Sequence, residues 1–126
     1  MRNILLAASI LVGLLFLVQS CYYENPPKPL PIDLEDVSFG THVLPIFARS
    51  CTQTECHEGT HAPNLLPENA YNSLANGYYN TTFPEESRIV KSVEYQGGFP
   101  MPPAGQLAPI DRDLILLWIT KGAPND

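Results

Sequence analysis

Basic residues are scarce in this 126-residue chain: seven Lys and Arg stand against thirteen Asp and Glu. An acidic surface repels a phosphate backbone, which argues against nucleic acid as a partner. The alternating pattern of a half-buried strand is absent, so the folded part is expected to be all-α. No nucleophile–base pair, no phosphate loop and no paired carboxylates stand out, and nothing in the sequence demands an enzyme. No internal repeat is visible. Methionine is nearly missing as well, with only Met1 and Met101 present. There are three cysteines, Cys21, Cys51 and Cys56, an odd number that would call for an explanation if the chain is exported.

The single long apolar run is at the start. Arg2 supplies a positive charge, and Ile4 to Val18 then runs fifteen residues without a formal charge. That length suits the core of a signal peptide and is short for a membrane span. Leu17-Val18-Gln19-Ser20-Cys21 follows, and it resembles the lipobox of bacterial lipoproteins. The resemblance implies cleavage after residue 20, acylation of the Cys21 thiol, and a lipid anchor on a bacterial membrane facing the periplasm or the cell surface. An ordinary secretory signal and an uncleaved anchor are the other readings of the same segment. Cleavage would remove Arg2 and leave six basic against thirteen acidic residues, a formal charge of −7.

Residues 21–35 are then expected to carry the lipid and a tether. Four prolines within 22–35 exclude a helix and favour an extended, semi-rigid spacer. The folded domain is placed at 36–126. In it, Ser38 is positioned to cap a first helix bearing Phe39, Val43 and Phe47, with Pro45 forcing a kink or a late start. Pro67 is expected to open a second helix with Tyr71 and Leu74, closed by Gly77. Pro84 should open a third with Ile89, Val90 and Val93 on its buried side. A fourth should run from about Pro109 to Lys121, apolar almost all round from Leu114 to Ile119 and stopped by Gly122 and Pro124. So small and proline-rich a domain needs something besides its own side chains to complete its core.

Chemistry concentrates in Cys51-Thr52-Gln53-Thr54-Glu55-Cys56-His57. A Cys pair followed at once by His is the logic of c-type haem attachment. Two thiols add across two vinyl groups of one haem, and the adjacent imidazole is thereby held under the iron. The usual motif has two residues between the cysteines; here there are four, which must loop out. Met101, in Phe99-Pro100-Met101-Pro102-Pro103, offers a soft, neutral thioether in a stretch stiffened by proline. Two other readings use the same residues. A Cys51–Cys56 disulfide would staple a structural lipoprotein with no cofactor. A zinc site would draw on Cys51, Cys56, His57 and His61, although adjacent Cys56 and His57 can hardly both reach one tetrahedral ion. His42 and His61 otherwise read as exposed or locally bonded, with His61 able to stand in for Met101.

The order of these segments resembles the cytochrome c-like domains of planctomycete and Bacteroidetes exported proteins. It runs through Ile46-Phe47, Cys56-His57, Leu65-Leu66, Tyr71-Asn72-Ser73-Leu74, Glu86-Ser87-Arg88-Ile89-Val90, Met101-Pro102-Pro103, Trp118-Ile119 and Gly122-Ala123, covering about 37–125. The resemblance implies a small, loop-rich helical domain wrapped around one covalent haem c. It implies Cys51 and Cys56 as attachment points, His57 and Met101 as axial iron ligands, and Phe47, Leu65 and Trp118 packed against the haem. The implied function is single-electron transfer to a redox partner protein in the envelope, with no small-molecule substrate because both axial positions are filled. A labile Met101 would shift this toward a haem sensor or weak peroxidase. Ala108 departs from the pattern, standing where a serine cap is expected at the last helix.

Overall fold

The computed structural model describes residues 33–126. The expected signal peptide, the acylated Cys21 and most of the proline-rich tether lie outside the described residues. Within them the fold is helical and no strand occurs. Four α-helices are joined by long loops: α1 Leu44–Ser50, α2 Ala70–Ala75, α3 Arg88–Val93 and α4 Pro109–Thr120.

Ser38 caps the first helical segment as its position in the sequence predicts. Its Oγ accepts a hydrogen bond from the Thr41 N–H at 3.2 Å, and its own N–H donates to Nδ1 of His42 at 3.1 Å. The first turns, Phe39–Val43, are wound as a π-helix that runs directly into α1. Pro45 follows directly on the junction, and having no N–H it cannot continue the hydrogen-bond ladder back into the π-helical turn. The late start expected from Pro45 therefore takes the form of a change in winding.

α2 and α3 have six residues each, too few to be stable alone, so burial holds them. Ala70 and Leu74 are fully buried on α2, and Ile89, Val90 and Val93 are buried on α3. The third segment is interrupted. Pro84–Glu86 form a 3-10 turn, Ser87 is extended with ψ 135°, and α3 begins only at Arg88. Ser87 is 1% exposed because its Oγ accepts from the Asn80 N–H at 2.9 Å, tying the preceding loop to the start of α3.

α4 organises the core. Leu114, Ile115, Trp118 and Ile119 form its buried stripe, while Leu116 and Leu117 are half-buried. The helix is thus less enclosed than its unbroken apolar run suggests. Trp118 lies in an aromatic cluster, with ring centroids 5.0 Å from Phe39 and 5.3 Å from Tyr79. Its indole N–H donates to the Pro124 carbonyl at 2.9 Å. Ala108 caps α4 without a side-chain hydrogen bond, and Pro109 at the first position removes one N–H that would otherwise need a partner.

The two ends of the domain are clasped. Lys121 Nζ donates to the carbonyls of Glu35 and Val37 at 2.9 and 2.8 Å. Asp126 accepts from the Phe39 N–H on Oδ1 at 2.7 Å and from the Gly40 N–H on its carbonyl at 2.8 Å. The Phe39 N–H is the first cause of an Asp126 carboxyl held below its ordinary range, with Lys121 adding to it. A Cβ at Gly40 would approach the Asp126 carbonyl oxygen to 3.1 Å, so the close approach is one reason glycine stands there.

Candidate functional site

Beside the core lies a mostly apolar cavity of about 470 Å³, within the usual range for cofactor and ligand sites of roughly 300–1,000 Å³. It is built where the end of α1, the loop after it, α3 and the loop after α3 meet. Phe47, Cys51, His57, Pro63 and Leu65 contribute from the first two, and Tyr78, Ile89, Val93 and Met101 from the later part of the chain.

Local hydrogen bonds explain how the first wall forms. Cys51 ends α1, its N–H donating to the Phe47 carbonyl at 2.8 Å. The hydroxyl of Thr52 and the amide of Gln53 donate to the carbonyls of Ala48 and Arg49, so the residues of the long cysteine spacing finish the helix end. The loop then closes on itself: the His57 N–H donates to the Cys51 carbonyl at 3.0 Å. Glu55 makes the reversal possible by adopting a left-handed backbone with φ 63°. Its N–H donates to a Glu58 carboxylate oxygen at 2.9 Å, which the Thr60 hydroxyl also reaches at 2.9 Å. Hydrogen bonds from the backbone and from Thr60 hold that carboxyl below its ordinary range. The four-residue spacing thus folds as a tight loop that returns His57 to the helix end. Leu65 follows, its N–H donating to the His57 carbonyl at 2.8 Å.

The His57 ring is oriented by carbonyl groups. Nδ1 lies 3.0 Å from the Pro63 oxygen and 3.3 Å from the His61 oxygen. Carbonyls can only accept, so Nδ1 carries a proton, and in the neutral ring the lone pair is on Nε2. A backbone carbonyl on one ring nitrogen is the usual arrangement that aims the other at a metal. Burial pushes the Cys51 thiol up to about 11, with the neighbouring Cys56 adding to the shift and Arg49 opposing it. Cys51 therefore stays protonated at neutral pH. Cys51 and Cys56 are both free.

Met101 reaches the cavity from the loop after α3. Its N–H donates to the Ser92 carbonyl at 3.0 Å, and the Tyr95 hydroxyl donates to the Pro102 carbonyl. These contacts anchor the Met-Pro-Pro segment to the end of α3.

The structure therefore brings Cys51, His57, Met101, Phe47 and Leu65 to one cavity, and it leaves two of the expected residues outside the lining. Cys56 is half-buried in the loop, with its thiol directed at the Thr54 carbonyl 3.6 Å away. Trp118 is one ring removed: it packs on Phe39, whose centroid is 6.4 Å from that of Phe47, and Phe47 lines the cavity. His61 is exposed and His42 is bonded to Ser38. Among the described residues no three His, Cys, Asp or Glu side chains gather where they could hold a metal ion, which removes the support for a zinc site there.

Sequence reasoning assigned no role to Pro63, Tyr78 or Arg88, which also line the cavity. Arg88 opens α3 directly after the break at Ser87. The chain matches no protein-family profile, no curated protein and no solved structure.

Proposed function

We propose that this protein is a monohaem c-type cytochrome that carries single electrons at the bacterial cell envelope. The observation that carries the reading is the meeting of Cys51, His57 and Met101 at one apolar cavity, with His57 Nδ1 bonded to the Pro63 carbonyl. The residues fit a haem in three respects. An imidazole with a free Nε2 and a thioether are the donor pair of a low-spin, two-ligand iron. Cys51 offers a thiol on the same wall as His57, in the motif order of covalent attachment. Phe47, Leu65, Ile89 and Val93 supply an apolar enclosure of suitable size.

Bound there, a haem supplies reversible one-electron exchange between Fe(III) and Fe(II). The protein's own groups set the conditions. Cys51 and Cys56 would tether the group, each by adding its S–H across a vinyl double bond with no leaving group and no change in electron count. Cys56 stands outside the cavity lining, so its attachment would require the Thr52–Glu55 loop to turn its thiol toward the group. Pro63 fixes the tautomer of His57. The ties from Ser92 and Tyr95 hold the Met101 segment at the cavity, where its thioether would be the second donor to the group and leave no open position for a substrate. Apolar walls disfavour the more charged ferric state, and methionine ligation acts in the same direction, so both raise the potential. Electrons come from and go to other redox proteins of the envelope.

The N-terminal segment extends the reading to place. An acylated Cys21 anchors the protein to a membrane facing the periplasm or cell surface, and residues 22–35 space the domain from it. Fourteen residues at about 3.1 Å each reach roughly 40 Å. Among the described residues no helix is long and apolar enough to cross a membrane. The direct test is a visible spectrum of the full chain, purified from a host that matures c-type cytochromes, before and after dithionite. A sharp ferrous α-band is expected; a colourless folded protein defeats the proposal.

A further inference from the structure

Five Lys or Arg side chains lie in residues 33–126. Four end on carboxylates: Arg49 on Asp111, Lys91 on Glu86, Arg112 on Glu94 and Lys121 on Asp126. Arg88 is the one described cation without a carboxylate partner, although twelve acidic residues share the same stretch of chain. It is exposed, and it lines the cavity. Its guanidinium carbon sits 4.6 Å from the centroid of the Tyr78 ring, which also lines the cavity.

In an acidic protein an arginine finds a surface carboxylate easily, so an unpaired one held at a cavity is informative. Stacking on Tyr78 fixes the plane of the guanidinium and leaves its N–H edge free, which lowers the entropy cost of a two-point contact with an anion. Lys91 stands one turn further along α3 and also lines the cavity, but its ammonium is already engaged by Glu86. The rest of the wall is largely apolar. A ligand suited to this place has an extended apolar body and a carboxylate at its edge.

We infer that Arg88 is the receptor for a carboxylate of the cavity's occupant; on the haem reading, on which this inference rests, that carboxylate is a haem propionate. Arg88 then fixes which edge of the ring faces solvent. Its charge also holds the propionate ionised through neutral pH and opposes the positive charge of ferric iron, so it tunes the midpoint potential. Charge-assisted, forked contacts of this kind are the strong ones, and lysine reproduces the charge without the fork.

The test is a pH series of reduction midpoints on full-length, haem-loaded wild type, Arg88→Leu and Arg88→Lys, with covalent haem measured on each by peroxidase stain after denaturing electrophoresis. Arg88→Leu should keep its covalent haem. Its midpoint should fall above pH 7 by a factor of about three to ten in the ferric/ferrous equilibrium, about 30–60 mV at about 59 mV per decade for one electron. It should also rise again as pH is lowered and the released propionate takes up a proton, giving a slope between about pH 5 and 8 that the wild type lacks. Arg88→Lys should lie between the two. Covalent haem with the same midpoint and flat pH profile in Arg88→Leu overturns the assignment of Arg88 and leaves the cytochrome reading intact. Absence of covalent haem in the wild type overturns both.

Discussion

The Nδ1 atom of His57 lies 3.0 Å from the carbonyl oxygen of Pro63, six residues further along the chain. This contact decides the tautomer and leaves Nε2 as the only ring atom able to bind a metal. It also explains why the segment between them is a loop: the chain must turn back so that a backbone carbonyl meets the ring. His57→Ala should therefore retain thioether-linked haem while losing the low-spin ferrous spectrum. Added imidazole should restore much of that spectrum. An unchanged spectrum in His57→Ala would remove this residue from the iron.

Met101 is held by backbone bonds to Ser92 and through Pro102 to Tyr95. On the proposed ligation of iron by its sulfur, the ferrous wild type should bind carbon monoxide poorly. Met101→Ala should open the position, lower the potential and show weak peroxidase activity. The check is a carbon monoxide difference spectrum of both proteins. Ready binding by the wild type would favour a gas sensor or weak peroxidase over an electron carrier.

Burial raises the Cys51 thiol from an ordinary value of 9.0 to about 11. The raised value keeps the protonated form, so thiolate appears only as pH climbs toward 11. In the haem-free protein at pH 8, Cys51 should alkylate about 100-fold more slowly than an unperturbed thiol, since the thiolate is the nucleophile. Its rate should keep rising about tenfold per pH unit well beyond pH 9. Mass-resolved labelling with iodoacetamide measures this, and rapid labelling at pH 8 would show the thiol to be exposed in solution.

Trp118 is fully buried, against Phe39 and Tyr79, and does not line the cavity. Trp118→Ala should cost about 3–5 kcal/mol of stability, as expected for truncating a buried aromatic. Trp118→Phe should cost less, losing the hydrogen bond to Pro124 and part of the packing. Denaturant unfolding gives the stabilities. The visible spectrum of Trp118→Phe should match the wild type; a shifted Soret band would place the ring against the haem.

Much of the fold was legible because its signals are local. Ser38 caps where its hydroxyl can reach the N–H three residues on, and Pro109 and Gly122 bound α4 through fixed φ and through a left-handed turn at φ 104°. The cavity set was legible through residue type, since Cys51, His57 and Met101 are scarce residues in suggestive neighbourhoods. What escaped depends on tertiary contacts. The break at Ser87 arises because Asn80 claims its hydroxyl, and periodicity does not report that. Trp118 reads as pocket or core equally well until Phe39 is seen between it and Phe47. Nothing in the sequence marks Arg88 off from the other arginines, because its lack of a carboxylate partner is a property of the folded chain.

Covalent attachment of one haem by Cys51 and Cys56, as proposed, is read by haem-linked peroxidase staining after denaturing electrophoresis of protein matured in a c-type cytochrome host. The wild type should stain strongly, and Cys51→Ala and Cys56→Ala should each lose much of the signal. A wild-type chain that folds, stays colourless and carries a Cys51–Cys56 disulfide would contradict the account.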